Sequence, residues 1–205
     1  MVRLLIASSN PGKLREIRAL LDIPGLVAVD PTMIGIRSQV EETGDQYADN
    51  AHLKASISAR ASGIWTLADD SGLEVDVLGG APGPRSARLG GPGTSDAVRR
   101  RLLLEKLRPH PQPWTARFRC VVALASPEGE VDLADGTCLG EIIATERGSA
   151  GFGYDPIFLI QGTDYTMAEL SLEEKNRLSH RAKAIKTLLP TLKKRLGLVG
   201  RDWGQ

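Results

Sequence analysis

Two adjacent carboxylates, Asp69 and Asp70, followed by Ser71 and Gly72, have the plainest chemical potential in this sequence. They follow an apolar run, Ile64-Trp65-Thr66-Leu67-Ala68, that reads as a short buried strand ending at the polar residues. A strand that stops in a polar turn is a common mount for catalytic side chains, because the strand holds the backbone and the turn exposes the groups. Neighbouring carboxylates repel unless a proton or cation intervenes, so a divalent metal is their natural partner. The same residue types also make an ordinary Asp-Ser-Gly turn. The groups that accompany them therefore carry the meaning.

Those groups lie in four further stretches. Ser8-Ser9-Asn10-Pro11-Gly12-Lys13 separates an apolar strand over residues 2–7 from a helix marked by Leu14, Ile17, Leu20 and Leu21. Such a junction presents backbone N–H groups and a positive helix end, which suit a phosphate, and Lys13 adds a mobile charge. It lacks the longer glycine loop of a P-loop, and it reads equally as a capped helix with a surface lysine. Lys54 shares a face with Tyr47 on an alanine-rich helix, and Glu41-Glu42 precede that helix where negative charge is favourable in any case. Gly151-Phe152-Gly153-Tyr154-Asp155-Pro156 places two of the few aromatic residues in a glycine-flanked loop. A ring there can stack on a nucleobase, worth about 1–3 kcal/mol per base, or serve as a core aromatic beside a turn. Finally, Ser179-His180-Arg181 opens a helix with two potential cations, where the macrodipole opposes positive charge by about 0.3–1 kcal/mol. Residues that break a local rule are functional candidates unless they are simply solvated.

Elements must position these groups. A strand is expected over residues 26–29 and an irregular connection over 31–39, with Thr43 and Gln46 as a capping box opening the helix that runs to about Ala61. Gly79-Gly80-Ala81-Pro82-Gly83-Pro84 is a loop ending in Arg85 and Arg88. Thr94 or Ser95 caps a helix carrying Leu102, Leu103, Leu104 and Leu107, which Pro109 and Pro113 terminate. Residues 116–125 alternate with Phe118, Cys120, Val122 and Leu124 on one face; two further strands, 131–133 and 138–144, continue an antiparallel meander. Ser171 and Glu174 form a capping box on a short helix bearing Lys175, and the last helix carries Ile185, Leu188, Leu189 and Leu192 with Pro190 expected to bend it. This order of elements specifies a mixed sheet flanked by helices.

The composition sets bounds. The 205 residues suffice for one domain with a sizeable core, and a formal net charge of +1 gives no general attraction to long nucleic acid or an anionic membrane. Cys120 and Cys138 lie in strand-like runs and read as buried thiols; His52, His110 and His180 show no metal-ligand spacing. The opening apolar run is short for a secretory signal and no stretch is long enough to span a bilayer, which makes the cytoplasm the expected address.

Taken together and in order, these stretches resemble the inosine triphosphate pyrophosphatase family. The resemblance rests on Ser8-Ser9-Asn10-Pro11-Gly12-Lys13, Glu41-Glu42-Thr43-Gly44, Ala51-His52-Leu53-Lys54-Ala55, Ala68-Asp69-Asp70-Ser71-Gly72-Leu73, Gly79-Gly80-Ala81-Pro82-Gly83, Ser86-Ala87-Arg88, Gly151-Phe152-Gly153-Tyr154-Asp155-Pro156, and Ala168-Glu169-Leu170 through Lys175 to Ser179-His180-Arg181. It implies a single domain over residues 1–205 of the α/β class, two-lobed, with a long central mixed β-sheet flanked by helices and an active-site cleft between the lobes. It implies hydrolysis of ITP, dITP and XTP to the monophosphate and pyrophosphate, with Mg²⁺ as cofactor and Asp70 as general base. Ser8, Ser9, Asn10, Pro11, Gly12 and Lys13 would hold the triphosphate with Lys54 assisting, and Ser71 would touch the nucleotide. Glu42 and Asp70, with Asp69 as a further candidate, would hold the metal. Phe152, Gly153, Tyr154, Asp155, Lys175, His180 and Arg181 would form the base pocket. A homodimer is also implied, with neither a nucleic acid polymer nor a membrane as partner. The alternatives are a related pyrophosphatase of other base preference and a nucleotide-binding module without turnover. The chain departs from the family at Ala150, where glycine is usual, and at Pro84-Arg85, which takes the place of an apolar or aromatic pair.

Overall fold

A computed structural model describes residues 1–36 and 44–199. The elements run β1 (Val2–Ile6), α1 (Pro11–Leu20), β2 (Leu26–Val29), α2 (Tyr47–Ser62), β3 (Thr66–Val75), α3 (Asp96–Leu107), β4 (Trp114–Ala125), β5 (Val131–Ile142), β6 (Phe158–Ile160), α4 (Leu172–Leu178) and α5 (His180–Arg195), with short 3₁₀ turns between several of them. The strands form one six-stranded sheet in the order β2-β1-β3-β4-β5-β6. β1 pairs in parallel with β2, Val2 opposite Leu26, and with β3, Leu5 opposite Thr66. β6 pairs antiparallel with β5, Gly140 opposite Ile160. The expected mixed sheet is present.

The chain divides into two compact units. The first comprises Met1–Asp70, Cys120–Gly136 and Arg181–Gln205; the second comprises Ser71–Arg119 and Thr137–His180. In the first unit, Ile17 of α1, Leu21 at its C-cap, and Ile185, Leu188 and Leu192 from α5 pack with Leu67 of β3 and Cys120, Val122 and Leu124 of β4. A separate cluster joins Tyr47, Ala51, Ala55 and Ala59 of α2 to Ala68, Val121 and Ala123. Successive strand residues point to opposite faces, so Leu67 and Ala68 serve different helices. Each fully buried Leu or Ile contributes roughly 1.5–3 kcal/mol relative to exposure, and this docks α1 and α5. The second unit has its own core of Leu73, Leu103, Leu107, Trp114, Phe118, Phe158, Met167 and neighbours.

Several expectations need correction. The helix expected to open at Thr43 and Gln46 starts at Tyr47, with Gln46 at the cap position and no side-chain cap bond, and Thr43 of the expected capping box lies outside the described residues. The short strands at 131–133 and 138–144 are one strand, β5, which carries Asp135-Gly136 within it. Most consequential, the strand entering Asp69-Asp70 does not stop there; β3 continues through both acids, Ser71 and Gly72 to Val75. Cys120 and Cys138 are buried thiols outside any disulfide, as expected. No helix among the described residues is long and apolar enough to cross a membrane.

Candidate active site

Because β3 runs on, its pleat sends the Asp69 and Asp70 side chains to opposite faces. The two carboxylates therefore do not face each other; within the first unit each meets partners of its own, and Lys54 acts on both. Asp69 is buried against the α1 and α5 side. Its Oδ2 lies 3.0 Å from Lys13 Nζ and accepts from Arg181 Nε at 3.2 Å and Nη2 at 3.1 Å. Arg181 Nη1 also donates to Glu16, so the guanidinium is locked between two buried carboxylates. This answers the misplaced charge at the start of α5, where tertiary carboxylates outweigh the unfavourable dipole. Burial alone would raise the Asp69 carboxyl, but the charges of Lys13, Arg181 and Lys54 together hold it well below the usual carboxylate range. Burial opposes the charge on Arg181, yet Asp69 and Glu16 push its proton affinity above the ordinary value. Cys120 Sγ sits 4.0 Å from Asp69 Oδ2, and burial together with that negative charge pushes the thiol up to about 12.

Asp70 faces α2. Asn50 Nδ2 donates to its Oδ2 at 2.9 Å, and Lys54 Nζ is 3.5 Å from its Oδ1. Lys54 Nζ also donates to the main-chain oxygen of Asp69 at 2.6 Å, so one lysine ties the backbone of the first acid to the side chain of the second. Asn50 is itself fixed, accepting from Gly44 N at 3.0 Å and donating to Gly44 O at 3.1 Å. Lys13, Lys54, Asp69, Asp70 and Arg181 thus belong to one charged network with Glu16 and Asn50, two residues that sequence reasoning misses. Both leave a signal: Glu16 is three residues from Lys13 on α1, and Asn50 is a weak helix former four residues before Lys54 in an alanine-rich helix.

At the start of α1, Asn10 is the N-cap, and its Oδ1 accepts from Gly12 N at 2.8 Å and Lys13 N at 3.1 Å. The amides expected to face a phosphate are thereby already satisfied. Ser9, Asn10 and Pro11 are exposed, while Ser8, Gly12 and Lys13 are half-buried. Glu42 lies outside the described residues. Among the described residues no cluster of three or more His, Cys, Asp or Glu could hold a metal ion.

The aromatic loop belongs to the second unit. Asp155 accepts from Phe152 N at 2.8 Å and forms a buried ion pair with Lys175 of α4, whose ammonium stands 4.9 Å from the centroid of the Phe152 ring. Gly151 has φ +77°, and a Cβ there would collide with Asp155 Oδ2, so only glycine allows the carboxylate to fold back under the loop. Tyr154 is a core residue whose hydroxyl donates to Ser86 O at 2.9 Å; its ring serves the fold, which leaves its main chain for any ligand. The His180 ring stacks on Phe118, centroids 4.8 Å apart and planes inclined by 16°. Ser71, next after Asp70 in β3, is half-buried.

Fold and site define a mixed α/β protein whose central strand carries two buried carboxylates, each matched to lysines and an arginine or amide. The chain belongs to the Ham1 family, whose model matches residues 4–191. It is 48% identical over 92% of its length to a protein from Nostoc sp. named dITP/XTP pyrophosphatase, covering 93% of that protein. It is 44% identical to another of the same name from Desulforamulus reducens, over 93% of this chain and 96% of the relative. A solved HAM1 protein from Coxiella burnetii superimposes with a TM-score of 0.85 at 37% identity, covering 95% of this chain and all of that one. The resemblance drawn from the ordered motifs is borne out.

Proposed function

We propose that this protein hydrolyses the non-canonical purine nucleoside triphosphates ITP, dITP and XTP to the monophosphate and pyrophosphate, which clears deaminated purines from the nucleotide pool. The observation that carries the reading is the Lys13–Asp69–Lys54–Asp70 network on a chain whose relatives bear the dITP/XTP pyrophosphatase name. Breaking the bond between the α- and β-phosphates requires neutralised charge and a water directed at the α-phosphorus. Lys13 and Lys54 supply positive charge, together with the groups of Ser8 to Lys13. Asp70 accepts the water's proton; Asn50 holds its Oδ2, which fixes the carboxylate plane for that transfer.

The donor chemistry fits Mg²⁺ at Asp70, because this ion takes oxygen ligands and settles for one or two carboxylates. Asp70 and Glu42 would hold it. Asp69 suits the role less well, since Lys13 and Arg181 already neutralise its charge. When bound, the ion would neutralise phosphate oxygens. For the base, Phe152 offers a stacking ring, with Gly153, Tyr154 main chain, Asp155 and Lys175 around it. His180 donates to the 6-keto oxygen, and Arg181, the next residue, adds a buried positive charge that Asp69 and Glu16 hold in place. Adenine's amino group would meet the His180 donor with a donor of its own, and such mismatch discriminates strongly. The active form is a homodimer, which sedimentation of the purified protein checks.

The test is direct. Incubation with ITP, dITP, XTP, GTP or ATP plus Mg²⁺, with pyrophosphate assayed, should show turnover of the first three in preference to ATP. Asp70→Asn should lower kcat by roughly 10²–10⁴-fold with the melting temperature kept. Near-normal turnover in that variant would remove Asp70 from its role, and absence of any pyrophosphate release would leave a binding module.

A further inference from the structure

Asp96 and Arg100 lie one turn apart on α3, and both end on one residue of the aromatic loop. Asp96 Oδ2 accepts from Gly153 N at 2.7 Å, and Arg100 Nη1 donates to Gly153 O at 2.9 Å. The two sequence separations are 57 and 53 residues, so this is a tertiary contact and not loop-internal bonding. Residues four apart share a helix face, which lets one helix grip both backbone groups of a single residue. Arg100 is itself aimed by a forked pair with Glu146, Nε to Oε1 at 2.8 Å and Nη2 to Oε2 at 2.9 Å. Asp96 Oδ1 is braced by Arg99 Nη1 at 2.6 Å and sits in the first turn of α3, where negative charge is favoured. Gly153 has φ +62° and open space within 4 Å of where a Cβ would lie, so its glycine serves the left-handed conformation that the clamp holds.

We propose that Asp96 and Arg100 are positioning residues that preorganise the Phe152 ring for the base. This rests on the reading of Phe152 as the stacking platform. The residue before the clamp, Phe152, has its own amide pinned by Asp155. The ring therefore stands between two fixed peptides, and the ordering that a free loop would undergo on binding is already done. Neither clamp residue takes part in proton transfer or phosphate neutralisation, so their loss acts on base binding and leaves the chemical step alone.

Asp96→Ala and Arg100→Ala should each raise KM for ITP by about three- to ten-fold, the worth of one hydrogen bond, while kcat stays within about two-fold. The dissociation constant for IMP should rise in parallel and that for inorganic tripolyphosphate, which has no base, should not. Asp96→Asn keeps an acceptor oxygen and should restore most of the affinity. In a Phe152→Ala background the clamp substitutions should add little. If Phe152→Ala raises KM but Arg100→Ala and both Asp96 variants, folded by their melting temperatures, leave it unchanged, the clamp has no positioning role. Full additivity with Phe152→Ala, or equal weakening of IMP and tripolyphosphate, would also overturn it. An unchanged KM in Phe152→Ala alone would instead reject the stacking platform, and the inference with it.

Discussion

Asp69 is a buried carboxylate whose Oδ2 meets Lys13 and Arg181. Replacing it with Asn keeps the shape but removes the anion that Lys13 and Arg181 share. Removing one partner of a buried ion network costs about 3–5 kcal/mol. The pH dependence follows from the depressed folded-state value. Above the unfolded carboxyl value, about 3.9, both states are ionised and the full stabilisation is present. Below it the unfolded chain takes up a proton that folded Asp69 resists, so stability falls with acidification. Melting temperatures between pH 2.5 and 7 should therefore decline more steeply in the parent than in Asp69→Asn, once the variant's constant deficit is subtracted. Parallel curves would mean that Asp69 is not held in its anionic form. Cys120 gives an independent reading of the same environment: its thiol, pushed up to about 12 by burial and by Asp69, should resist alkylation at pH 8 until the protein unfolds.

The element that carries Asp69 shows where a sequence stops being legible. Asp, Ser and Gly are depleted in strands, so local propensity ends β3 at Ala68. What holds the strand through Asp69 and Asp70 is Arg181, 112 residues away, with Lys13 and Lys54, which no local periodicity reveals. The same blindness splits β5 at Asp135-Gly136. Helix starts are more readable, because a cap is a local device: Asn10, Ser95 and Ser171 each accept from an amide two or three residues on. The candidate site residues are drawn from the ordered motifs, whereas Glu16 and Asn50 are hidden as ordinary polar residues of helices. Asn10 also shows that a phosphate-like junction can be self-satisfied. Since it closes the first turn in which Lys13 sits, Asn10→Ala should cost about 1 kcal/mol of stability and also raise KM for ITP. A stability loss with unchanged KM would restrict Asn10 to the fold.

At the scale of the whole chain, a net charge of +1 conceals a local arrangement in which Asp69 and Asp70 each have a named cation, and no global field attracts the substrate. Recognition must then come from contacts, and the proposed contacts are divided. Lys13 and Lys54 are proposed for the phosphates; Phe152, Asp155, Lys175 and His180 are proposed for the base. A ligand that uses both sets should stabilise the protein more than either half of that ligand. Asp70→Asn makes this measurable, since ITP would bind without being consumed. Ligand at 100 times its dissociation constant adds about 2.7 kcal/mol to stability, which for a chain of this size raises the melting temperature by roughly 5–10 °C. ITP should reach that shift at concentrations where inosine and inorganic tripolyphosphate give little, and ATP should fall well short of ITP. If tripolyphosphate matches ITP, the base contributes no binding energy, and the assignments of Phe152, Lys175 and His180 fail together while those of the two lysines stand.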